Sequence, residues 1–306
     1  MKNDIRKILV FSLIPFIVSF NFSSILNDSE ENVKNNSESL CFNKGFFQSN
    51  IQLDYNSSDI PKYIKPESDI ARINISINHY VSGLYSEIFI PFFFFKTVPI
   101  ELSINETPEW LNASVSPGIV YLKISTESSP TPETAILTVD LNRFAPGFRP
   151  QTIIIKARAP PVKGILGLLN IVKVGNNQLQ ITIRPGFFPD FQYSYEPYGE
   201  IGPGELLKLP INITSYSNAL TGINFEILDQ HEGWSTAINS EIYIGTRVLG
   251  QDYNVTINFC VQSPFDCQNE VQQFRVRATT FAAGHAAELG YDNTTILQFT
   301  VRCRNY

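Results

Sequence analysis

Three histidines are the scarcest candidates for acid–base or metal chemistry in this chain: His79, His231 and His285. They fall in separate turns or strand ends, and their spacing matches no metal-ligand pattern. His231 and Glu232 stand beside Trp234, but adjacency within a turn points to exposure rather than a catalytic pair. No G-x-S-x-G, H-E-x-x-H, phosphate-binding glycine loop or EF-hand pattern occurs. The sequence therefore supplies no catalytic residue, no cofactor-binding residue and no metal ligand set, and it reads as a non-enzyme.

One acidic run carries a sharper alternative. "PDFQYSYEPYGE" (residues 189–200) combines Asp190, Glu196 and Glu200. Carboxylates and carbonyls suit calcium, which would stiffen a domain junction; an ordinary solvated linker explains the same residues. Phe191, Tyr193, Tyr195 and Tyr198 lie in this stretch. They could stack on a sugar. Their period-2 spacing reads more simply as the buried face of a first strand.

Four cysteines, Cys41, Cys260, Cys267 and Cys303, allow three pairings. Alternation places Cys260 on the polar face of its strand, and Cys303 on an apolar face with Leu297, Phe299 and Val301. Strand neighbours joined by a disulfide would share a face. The expected bridge is therefore Cys260–Cys267, a local clip around "CVQSPFDC"; Cys267–Cys303 is the runner-up. Cys41 is left to pair with Cys303 or with another chain. The C-x6-C spacing is wide for zinc.

Ten N-x-S/T acceptors are present: Asn21, Asn27, Asn35, Asn56, Asn74, Asn105, Asn112, Asn212, Asn254 and Asn293. In "YNVTINFCV", Tyr253, Val255, Ile257, Phe259 and Val261 alternate against Asn254, Thr256 and Asn258. "LKLPINIT" does the same around Asn212, and "INISI" around Asn74. Alternation puts these acceptors on a solvent face, where a glycan must sit; they would equally serve as plain outward polar residues.

The elements that must position these residues are strands. Apolar residues make up 43% of the 306-residue chain and charged residues 17%, which is core-forming material. The 23 Phe and 13 Tyr suit pleated, half-buried surfaces. A net charge of −6, without a basic cluster beyond the first seven residues, argues against nucleic acid. Those seven residues are "MKNDIRK"; an uncharged apolar stretch, residues 8–26, follows. The pair reads as a cleaved secretory signal or an uncleaved anchor, and either sends the rest of the chain outside. Residues 27–67 are polar and sequon-dense, and read as a flexible stalk; "IQLDY" (residues 51–55) could instead add a strand.

"LQITIR" (residues 179–184) and "LQFTVR" (residues 297–302) are near copies. Ala159 and Ala278 close similar strands, Trp110 and Trp234 occupy like places, and "GLYSEIFIP" (residues 83–91) faces "GELLKLP" (residues 204–210). The shared spacing, roughly 120 residues, signals duplicated units. Each unit shows seven or eight short alternating segments and few helical periods. In the second they are Phe191–Tyr195, Leu206–Thr214, Gly222–Leu228, Ser235–Ile238, Glu241–Ile244, Asp252–Val261, Gln273–Thr279 and Thr295–Cys303. The best helical candidate, "VKGILGLLNIVK" (residues 162–173), is broken by glycines. The expectation is all-β: two tandem immunoglobulin-like antiparallel sandwiches over residues 68–185 and 186–306, each with one buried Trp. Leader (residues 1–26) and stalk precede them. "PGFFPD" (residues 185–190) would be a stiff junction.

A strand, then "PEW" or "GW", then further strands and an Ala ending a long strand resembles the Ig-like repeats of archaeal and bacterial surface proteins. These include CARDB-type adhesion modules and S-layer-associated domains. The resemblance spans roughly residues 68–306. Where that family reads N-x-G between its second and third strands, this chain reads "YSNALTG" (residues 216–222). The resemblance implies extracellular spacer or adhesive work, with other surface proteins or cell-envelope glycans as partners, membrane contact through an uncleaved leader, and no catalytic residues.

Overall fold

A computed structural model describes residues 47–83, 86–89, 97–128, 130–163 and 170–304. The leader, Cys41 and the acceptors at Asn21, Asn27 and Asn35 lie outside them. The chain is all-β with antiparallel sheets. Its first half runs β1 (Gln48–Tyr55), β2 (Ile70–Ser82), β3 (Thr97–Ile104), β4 (Leu111–Ser116), β5 (Ile119–Lys123), β6 (Glu133–Leu141) and β7 (Gln151–Ala159). It continues through the short pair β8 (Val162–Lys163) and β9 (Asn170–Val172) to β10 (Gly175–Ile183). The second half runs β11 (Phe191–Tyr195), β12 (Tyr198–Ile201), β13 (Leu206–Ser215), β14 (Thr221–Ile227) and β15 (Ser235–Ala237). It ends with β16 (Glu241–Ile244), β17 (Asn254–Gln262), β18 (Val271–Ala282) and β19 (Tyr291–Cys303).

Two sheets, ordered β1-β2-β6-β4 and β10-β7-β3-β5, enclose one core. Two more, β11-β13-β17-β15 and β12-β19-β18-β14-β16, enclose a second. The orders superpose strand for strand, with β12 as an addition. Both follow the A-B-E-D over G-F-C arrangement of an immunoglobulin-type sandwich, with an extra edge strand beside C. In each half the chain leaves C, borders the first sheet (β4, β15), and crosses directly to border the second (β5, β16). In the first half a cis Ser116–Pro117 bond lies at the crossing.

Alternation explains the cores. Ile73, Ile75 and Ile77 on β2 are fully buried, and so are Leu137 and Val139 on β6. They meet Ile153 and Ile155 of β7 and Ile181 and Ile183 of β10. Burying each such side chain contributes about 1.5–3 kcal/mol. The second core is aromatic: Phe259 lies 4.8 Å from Phe299 and 5.9 Å from Phe274, ring centre to ring centre. "LQITIR" and "LQFTVR" occupy equivalent closing strands, β10 and β19.

Four expectations are corrected. Residues 48–55 are not stalk: β1 pairs with β2 from Gln48↔Ser82 to Tyr55↔Ile75, and Ile64 is buried. Gln48, Gln52 and Asp54 of β1 are exposed while Ser49 is buried, and the added strand that residues 51–55 offered is the reading the structure has. The match of "GLYSEIFIP" to "GELLKLP" is coincidental, because Gly83 follows β2 whereas Gly204 precedes β13, the equivalent of β2. Neither tryptophan is fully buried; both pack at the margins of their cores. Finally, β12 pairs in parallel with β19, Tyr198↔Thr300 to Ile201↔Cys303, and four residues holding one buried apolar position leave no alternation to read.

Candidate functional site: the joint and the outward faces

The junction after β10 is built around Asn218, which has no solvent exposure. Its Nδ2 donates to the carbonyls of Ala145 and Gly186, both at 2.8 Å. Its Oδ1 accepts the Phe188 N–H at 2.7 Å. Its own carbonyl accepts the Gly147 N–H at 2.8 Å, and its N–H donates to the Phe188 carbonyl at 3.3 Å. Residues 145–147 belong to the first half, 186–188 to the crossing segment and 218 to the second half. One buried side chain of the second half therefore satisfies backbone groups of the other two segments, which burial otherwise makes costly. Gly147 permits this approach, since a Cβ there would lie 2.8 Å from the Ala219 Cβ. Thr246 Oγ1 donates to the Ser217 carbonyl beside it.

Apolar and ionic contacts surround this hub. Phe187, Ala219 and Ala282 form a small third cluster, with Phe148 packed against it. Phe148 adopts the left-handed backbone region, φ 64°, which a bulky residue avoids unless held. Its N–H donates to the Pro185 carbonyl at 2.9 Å, and its ring stacks on His285 at 3.8 Å. Tyr63 meets Phe148 edge-on at 5.4 Å and donates its hydroxyl to Glu288 at 2.9 Å. Around the rim, Lys62 pairs with Glu288 and Lys65 with Asp292. Arg143 pairs with both Glu67 and Asp190.

The residues that sequence reading singled out are dispersed. Asp190 pairs with Arg143 and Glu200 with Arg304, and Tyr198 donates to Glu200 at 2.6 Å. No group of three metal-ligating side chains occurs among the described residues, and Asp190 and Glu200 belong to separate ion pairs. His231 Nε2 lies 2.8 Å from the Gln273 carbonyl, and His285 belongs to the joint. His79 is buried against Ser49, Nε2 to Oγ at 2.8 Å; burial pushes its pKa down to about 4.

The Cys260–Cys267 clip is corrected as well: Cys267 joins Cys303 and Cys260 is free. Parity correctly placed Cys303 inward and Cys260 on the outer face, half exposed. The loop carrying Cys267 dips into the second core, where both bonded cysteines are buried, and a loop has no parity to announce that.

Phe191, Tyr193 and Tyr195 line the second core as half-buried residues, and burial raises the Tyr193 hydroxyl to about 12. A row of aromatics that sequence reading missed lies on the opposite sheet. Tyr243, Gly222, Phe281 and Tyr291 are cross-strand partners on β16, β14, β18 and β19. Phe281 lies across Gly222, where any Cβ would meet its ring. Tyr243 and Tyr291 stand nearly perpendicular to it at 6.1 and 5.5 Å; they are 60% and 61% exposed, against 7% for Phe281. Asn224 Nδ2 donates to the Tyr291 hydroxyl at 2.9 Å. Four strands contribute, so no local motif marks the row.

The acceptors Asn74, Asn112, Asn212 and Asn254 all lie exposed on the outer faces of β1-β2-β6-β4 and β11-β13-β17-β15. Asn56 caps a single helical turn after β1, accepting the Ser58 N–H. Asn105 follows β3 and accepts from Lys156 at 2.9 Å. Asn293 lies on β19, exposed.

No helix among the described residues is long and apolar enough to cross a membrane. No protein-family model matches the chain, and no curated protein matches it. Among solved structures, a protein of unknown function from Porphyromonas gingivalis W83 is similar at 10% identity and TM-score 0.29, over 83% of this chain and 99% of that one. Domains 4 and 5 of the S-layer protein SbsC give 11% and 0.26, over 83% and 98%. The YadV chaperone gives 8% and 0.26, over 82% and 98%. At such scores these likenesses carry no argument about function.

Proposed function

We propose that this chain is a non-enzymatic extracellular or cell-surface protein, in which two tandem Ig-like sandwiches (residues 47–185 and 186–306) act as a stiff spacer or adhesive unit. The Asn218 joint carries this reading: buried bonds reach across both halves and the segment between them, and ion pairs ring them. Such a device serves a protein whose work is to hold one end at a set distance and angle from the other. The basic, apolar leader and the dispersed sequons support display outside the cell. Small-angle X-ray scattering of wild type and Asn218→Ala tests the stiffness; unchanged profiles would sink it. Protease protection on intact cells tests the location, and residues 47–306 shielded inside would overturn it.

The row Tyr243–Phe281–Tyr291 favours a second reading, association with cell-envelope glycans. Exposed rings edged by an amide suit the apolar face and hydroxyls of a sugar. Absence of binding on a glycan array, or binding undisturbed in Tyr243→Ala/Tyr291→Ala, would remove it.

A further inference from the structure

Two acceptor triplets, Asn212-Ile213-Thr214 on β13 and Asn254-Val255-Thr256 on β17, lie antiparallel in register. Asn212 faces Thr256 and Thr214 faces Asn254. Each acceptor asparagine is thus opposite the hydroxyl residue of the other triplet, on the same outward face. Thr256 Oγ1 donates to Asn212 Oδ1 at 2.7 Å, so one bond occupies a recognition group of both triplets. Both strands are interior to their sheet. Diagonal neighbours in such a ladder have Cα atoms about 7–8 Å apart.

We propose that Asn212 and Asn254 constitute a single glycan position, at most one of the two being modified in any folded molecule. The inference rests on the extracellular reading above. Transfer forms a bond between an asparagine Nδ2 and the anomeric carbon of a sugar. The bond from that carbon to the phosphate oxygen of a lipid-linked oligosaccharide breaks, and the lipid phosphate departs as one amide proton is lost. A first sugar ring with its substituents fills the space between the two diagonal positions. On the folded sheet the second triplet is then covered, and its hydroxyl partner with it. If both acceptors are modified before folding, two sugar stems must share that space when β13 meets β17, so doubly modified chains fail to close this register and are not secreted.

The first half supplies an internal control. Asn74 on β2 and Asn112 on β4 face Ile136 and Asp140 on β6, the strand between them. Two strand spacings and four residues along β6 separate them by roughly 16 Å, so they are modified independently.

The test is secretion of the full chain from an N-glycosylating host, with all other acceptors changed to Gln. Intact mass then counts glycans on the pair. The expected result is one glycan, with Asn212→Gln raising occupancy at Asn254 and Thr256→Val raising it at Asn212. Should that background fail to secrete, glycopeptide occupancy in wild type and in Asn212→Gln alone gives the same answer. Two glycans on one molecule, or occupancy at Asn254 indifferent to Asn212→Gln, overturns the proposal. Glycans at Asn74 or Asn112 with neither Asn212 nor Asn254 modified also overturns it and leaves the extracellular reading standing. A wild-type chain without glycans anywhere, retained inside the cell, overturns both.

Discussion

The Nδ2 of Asn218 donates to the carbonyl of Ala145 at 2.8 Å, a buried bond between residues 73 apart in the chain. Its removal leaves that carbonyl, the Gly186 carbonyl and the Phe188 N–H without their partner, and each buried orphan costs about 1–3 kcal/mol. Asn218→Ala is expected to lower stability by roughly 3–5 kcal/mol in urea titration. Asn218→Asp should be nearly as damaging, because a carboxylate cannot donate to the two carbonyls.

Gly147 tests the same joint from the other side. A Cβ there meets the Ala219 Cβ at 2.8 Å and the Asn218 Oδ1 at 3.2 Å. Gly147→Ala is expected to cost about 1–3 kcal/mol through overpacking and to quicken hydrogen exchange at the Phe188 N–H. Unchanged exchange would show that the joint yields without opening.

Phe299 and Gln298 separate the two faces of β19. Phe299 is 1% exposed, and a buried carboxylate without a partner is prohibitive. Phe299→Asp is expected to unfold the second half, with loss of near-ultraviolet circular dichroism. Gln298→Lys should stay within about 0.5 kcal/mol of wild type.

The disulfide between Cys267 and Cys303 closes a sequence separation of 36 residues. Loss of that cross-link is expected to cost roughly 3–4 kcal/mol, seen as a lower denaturation midpoint in Cys267→Ser. Cys260→Ser should be near neutral. Non-reducing peptide mapping decides the pairing, and a Cys260–Cys267 peptide would refute it.

His79 gives the fold an acid dependence. Burial lowers its pKa in the folded chain to about 4, while the unfolded chain takes up the proton near pH 6.5. Between those values the unfolded state binds more protons, so stability falls as pH drops through that window. The loss amounts to about 3 kcal/mol at most and levels off below pH 4. Urea midpoints from pH 7 to pH 4 should slope less in His79→Gln than in wild type.

What the sequence determined by itself is local. Alternation along "INISI", "LKLPINIT" and "YNVTINFCV" set which side chains face a core and which face water, because strand side chains alternate strictly. The likeness of the two strand series was legible because β10 and β19 use nearly the same letters for their closing positions. Trp110 and Trp234 each precede an edge strand that switches sheets, and their spacing survived because the strands around them did. Only the tertiary structure decided what depends on residues far apart in sequence. Asn218 sits in an ordinary "SNAL" stretch, yet it becomes the hub because residues 145–147 and 186–188 converge on it. Cys267 reaches Cys303 because its loop folds inward. Tyr243, Phe281 and Tyr291 form a row because β16, β14, β18 and β19 align in register, and Asn212 faces Thr256 for the same reason. Parity reports the face a residue takes; register and chain crossing decide its partner, and these are set by the packing of whole sheets.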